Sequence, residues 1–84
     1  MPAVTNYTYE AVQVARATHY LFVTVPSRVN GILVDLELLS ATRDEVTVHV
    51  PHNHQYDVRP HDATYPASQV TKLHIGASKA TPIR

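Results

Sequence analysis

Apolar and polar residues alternate with a period of two over most of the chain, the spacing of half-buried β-strands. The run 19–25 (HYLFVTV) puts Leu21, Val23 and Val25 on one face and Tyr20, Phe22 and Thr24 on the other. Pro26 ends it, and the turn Ser27-Arg28-Val29-Asn30-Gly31 follows, with Asn30-Gly31 the strongest hairpin signal in the sequence. Across 32–39, Ile32, Val34, Leu36 and Leu38 share a face, opposed by Leu33, Asp35, Glu37 and Leu39. A polar turn over 41–45 leads to 46–50 (VTVHV), where Val46, Val48 and Val50 point inward and Thr47 and His49 outward. Residues 51–66 read as a long, polar, histidine-rich loop, with a short strand around Tyr56 and Val58 at most. The last strand is predicted over 69–75, with Leu73 and Ile75 on the core side, and Gly76 opens a flexible tail over 76–84. Segment 7–17 (YTYEAVQVARA) is ambiguous. Tyr7, Tyr9 and Ala11 alternate as in a strand, which is the reading adopted; the alternative is a short helix N-capped by Thr8.

Five or six short strands separated by prolines and turn residues predict an all-β fold, a small barrel formed by residues 1–75. A chain of 84 residues holds one such domain. Closing the barrel would remove the exposed edges of its sheet.

The stretch Ala63-Thr64-Tyr65-Pro66-Ala67-Ser68-Gln69-Val70 resembles the closing signature of SH3-like barrels, an aromatic-Pro-x-x-x-Val run. The resemblance implies a single 3₁₀ turn before the last strand. Asn6-Tyr7-Thr8-Tyr9-Glu10-Ala11 is similar to the opening aromatic motif of signalling SH3 domains. The chain has no tryptophan and carries Val12-Gln13-Val14-Ala15-Arg16 in place of an acidic specificity loop. The resemblance therefore implies the barrel and not recognition of PxxP peptides. The Tyr65-Pro66 ending also resembles that of the small plasmid-borne dihydrofolate reductases, tetramers of SH3-like barrels with a pore active site. Their Val-Gln-Ile before the tyrosine is replaced here by Asp62, Ala63 and Thr64. An oligomeric small-barrel enzyme is accordingly only the third functional reading.

Composition narrows the classes. Lys plus Arg (7) equals Asp plus Glu (7), and zero net charge argues against a general nucleic-acid binder, whose affinity rests on many phosphate contacts. The charge is uneven: residues 31–63 hold six acids against two arginines, whereas 64–84 hold three bases and no acid. The absence of cysteine excludes disulfides, thiolate chemistry and cysteine-rich zinc sites, and points to an intracellular, cytoplasmic protein. The first residues lack the basic and apolar regions of a signal peptide, and no run approaches the roughly 20 apolar residues that span a bilayer, so no membrane association is expected.

The histidines are the one compositional anomaly, with four of the six falling within 49–61. His52-Asn53-His54 places two rings on one side of an extended chain. With His49 and His61, and with Asp57 or Asp62 nearby, this makes a candidate site for zinc or nickel of structural or regulatory use. The opposing reading is a polar loop, stiffened by Pro51 and Pro60, in which histidine is merely tolerated. The letters H-N-H at 52–54 do not make an HNH nuclease, which needs those residue types spread over a hairpin and a following helix. A triad of Ser68, His61 and Asp62 can be written down, but no nucleophile elbow supports it. Two distant glycines build no phosphate loop. The chain is therefore read as non-catalytic.

The surface carries the leading expectation. Leu33 and Leu39 oppose one apolar set, and Tyr20 and Phe22 oppose another, so one of the two faces lies outside the core. Contiguous exposed apolar area marks an interaction site. Tyr20, Phe22, Leu33 and Leu39 are expected to carry a protein contact. Asp35 and Glu37, with Asp44 and Glu45, would orient it. The partner is either a second copy of the chain or a larger protein that this chain inhibits or helps to assemble, a viral particle included. In the opposing reading, residues 1–17 pack over that face.

Overall fold

The computed structural model describes residues 3–79. The order of elements is β1 (Ala3–Asn6), α1 (Tyr9–Ala15), β2 (His19–Pro26), β3 (Leu33–Ala41), β4 (Glu45–Val50), β5 (His61–Pro66), a 3₁₀ turn (Ala67–Gln69) and β6 (Lys72–Ser78). All six strands form one antiparallel sheet in the order β1-β6-β2-β3-β4-β5. The fold is thus all-β with one short helix.

The expected barrel is not closed. β1 and β5 stand at opposite ends of the sheet and do not pair. Instead the core face is covered at one end by α1, whose Val12 and Ala15 join Leu21, Val23, Leu36 and Val48 in a single apolar cluster. The register explains this core: Val23 faces Leu36 on one side and Leu73 on the other, and Val48 faces Ala63.

Within the segment 7–17, Tyr9–Ala15 form a helix, which corrects the strand reading. Thr8 is its N-cap, with an extended backbone and a hydroxyl that accepts from the Ala11 N–H at 3.1 Å. Arg43 from the β3–β4 turn reaches over it, 3.0 Å from the Glu10 carboxylate and 4.8 Å from the centre of the Tyr9 ring. The Glu10 carboxyl is held below its usual range, first by its own backbone N–H and then by Arg43.

Three other expectations shift. Ile32 belongs to the hairpin turn and is 64% exposed, because Gly31 adopts φ +75° and the Ser27 N–H bonds back to the Ile32 carbonyl. The supposed loop 51–66 contains β5, with Ala63 and Tyr65 buried, and its other half is a turn pinned by the Asn53–Val58 bridge. Tyr56 lies in that turn. β6 runs through Gly76 to Ser78; the remainder of the expected tail, 80–84, lies outside the described residues. The 3₁₀ turn falls after Tyr65-Pro66 and before the last strand, as the closing motif implied.

Tyr7, between β1 and α1, packs on the core while its hydroxyl is out of water and has no hydrogen-bond partner among the described residues. Burial, and then the charges of Tyr9 and Glu10, hold its pKa above 10.0. This raised value favours the folded state fully below the unfolded pKa of about 10, and the contribution is lost as pH climbs through the folded value. Tyr7→Phe removes an unpaired polar group. It should add about 1 kcal/mol at neutral pH and lessen the loss of stability above pH 10, as read by urea denaturation.

Candidate functional site

The outer face of the sheet follows from the registers. One row runs Val4, His74, Phe22, Glu37, His49, Asp62, from β1 to β5. A second row runs Asn6, Lys72, Thr24, Asp35. Strand alternation sends all of these away from the core.

The residues expected to form the contact lie along β2 and β3 on this face. Leu33 pairs with Pro26 at one end and is 58% exposed. Tyr20 and Leu39 are 47% and 43% exposed and line a cleft beside the end of α1. Leu39 is the extra residue of a β-bulge between Leu38 and Ser40, so no β4 residue faces it. Lys79 Nζ lies 5.5 Å from the centre of the Tyr20 ring. Phe22, half-buried, rests its ring against Gly76, where an added Cβ would meet Phe22 Cε1 at 3.1 Å. Charged groups stand between these apolar ends, so the face is mixed rather than uniformly apolar. Asp44 and Glu45 sit apart, at the β3–β4 turn.

A polar cluster occupies the centre of the face. The Thr24 hydroxyl donates to Asp35 Oδ1 at 2.5 Å, and His74 Nε2 lies 2.8 Å from that hydroxyl and 3.2 Å from the carboxylate. Thr24, Asp35 and His74 thus form one hydrogen-bonded cluster on the outer face. Ser68 makes no hydrogen bond to His61 or Asp62.

The four histidines proposed as metal ligands are dispersed. His49 Nδ1 lies 3.4 Å from Asp62 Oδ1 on the outer face. The His52 and His54 rings meet at a tilt of 50°, with centres 4.0 Å apart. His61 Nδ1 lies 2.8 Å from the Arg59 carbonyl. Among the described residues no three His, Asp or Glu side chains are grouped to hold a metal ion. No helix among them is long and apolar enough to cross a membrane.

Sequence reasoning missed one feature entirely. On the core face, beyond the reach of α1, a cavity of about 490 Å³ opens between the β2–β3 turn and the segment 51–61. Val34, Leu36, Val50 and Ala63 form its apolar wall, and Arg28, His52 and His61 its polar border. Arg28 is fixed there by stacking 4.3 Å over the Tyr65 ring and by donating to the Thr64 carbonyl. The alternation of Ala63 and Tyr65 was the available signal for the wall; nothing in the local sequence marks Arg28. The sequence matches no family model, no curated protein and no solved structure.

Proposed function

We propose that the protein is a non-catalytic protein-interaction module, an intracellular accessory or assembly subunit built on an opened SH3-like barrel. The contact is the outer sheet face, and its occupant is a second copy of the chain. Inhibition of a larger protein would use the same face. The 3₁₀ turn after Tyr65-Pro66 supports the fold assignment.

One observation carries the functional reading: the charge on this face is self-complementary about β2. Lys72 and His74 lie on β6 to one side, and Asp35 and Glu37 lie on β3 to the other. A two-fold axis along β2 lays the β6 of each copy over the β3 of its partner, bases against acids. The exposed Tyr20, Leu33 and Leu39 then supply apolar contact at both ends. Six strands spaced about 4.8 Å make a face roughly 24 Å wide, at the small end of stable interfaces, so micromolar affinity is expected. Zinc binding by the histidines of 49–61 has less support, because among the described residues no three such side chains are grouped to hold an ion.

Sedimentation equilibrium tests this. The protein should dimerise with a dissociation constant of order 10 μM, and Leu33→Asp or Phe22→Asp should weaken it at least about tenfold. A wild-type monomer at about 100 μM, or variants that dimerise equally well, would overturn it. Leu33 is exposed, so its variant retains the fold and isolates the contact.

A further inference from the structure

We infer that the core-face cavity is a binding site for a small organic carboxylate with an apolar body. Its volume, about 490 Å³, is that of a ligand pocket and far exceeds a packing defect. The wall is aliphatic, which calls for an apolar body on the ligand and leaves its charged group at the border. The border supplies one permanent cation, Arg28. The one acid that contributes to the lining, Asp35, turns its carboxylate to the opposite face of the sheet, where it meets Thr24 and His74.

Two contacts place Arg28 at this border: its guanidinium carbon lies 4.3 Å from the centre of the Tyr65 ring, and one N–H is taken by the Thr64 carbonyl. The remaining N–H groups of the five meet no acceptor among the described residues. A planar fork with free donors at an apolar wall matches a carboxylate in bidentate geometry. The site lies on the other side of the sheet from the proposed dimer contact, so the two readings stand or fall separately.

The test is an amide NMR titration of the full chain with octanoate, and with 1-octanol as the uncharged control. Saturable shifts are expected at the amides of Val34, Leu36, Val50 and Ala63 with both probes, octanoate binding about tenfold tighter. Arg28→Leu should bring octanoate down to the octanol level and leave octanol unchanged. Val50→Phe, which fills the cavity without touching Arg28, should abolish both. The proposal is overturned by the absence of saturable shifts at these amides, by equal losses for both probes in Arg28→Leu, or by undiminished binding in Val50→Phe.

Discussion

Val12→Asp is expected to cost about 4 kcal/mol or more, while Val14→Asp stays within about 0.5 kcal/mol of wild type. The two valines are two residues apart, and only the helix separates their fates. In α1 they lie on opposite sides: Val12 is 1% exposed in the core cluster and Val14 is 80% exposed. In a strand, positions 12 and 14 would share a face and both variants would suffer alike. A carboxylate at position 12 would be carried into the apolar cluster and stripped of its water there. A domain of this size has a total stability of roughly 4–12 kcal/mol, so that loss leaves little or no folded protein. Circular dichroism with thermal melting reads both variants, and equal damage at the two positions would refute the helix.

Leu73→Ala should cost about 3–4 kcal/mol. Leu73 is fully buried on β6, between Thr5 of β1 and Val23 of β2. Removing its side chain leaves a cavity bounded by hydrogen-bonded strands on both sides, which cannot collapse to fill it. Ile75, two residues on and only half-buried, should cost about 1–2 kcal/mol when cut to alanine. Urea denaturation with an unchanged slope would confirm that only stability has moved. Equal costs at 73 and 75 would place the centre of the core elsewhere.

The parts of the fold legible in the sequence were those in which alternation is dense. Around Leu21, Val23 and Val25, and again at Val46 and Val48, large apolar residues recur at every second position and leave no competing period. β5 escaped because Ala63 is too small to mark an inward face and its neighbours are polar. β1 escaped because four residues show no period, and its pairing partner β6 lies far along the chain. The helix was misassigned because seven residues have little intrinsic helical stability. Burial of Val12 and Ala15 decides the matter, and that is a property of the assembled sheet.

The candidate site divides along the same line. Exposure of Tyr20, Leu33 and Leu39 could be read from strands that are apolar on both faces. The separation of His49 from the other histidines could not: it ends on the outer face against Asp62, while His52 and His61 border the cavity. The cavity itself depends on Arg28 meeting Thr64, 36 residues away.

That arginine has a consequence for the sheet left open beside it. Among the described strands β5 has a neighbour on one side only, and its free backbone groups would otherwise template the accretion of further strands, the route by which fibrils grow. Arg28 already holds one of its carbonyls, and Pro60 and Pro66, which lack an N–H, bracket the strand. An intruding chain must displace a stacked guanidinium and still finds two positions with no donor. A side chain from a hairpin turn thus stands guard over an unzipped margin that ring closure would have sealed.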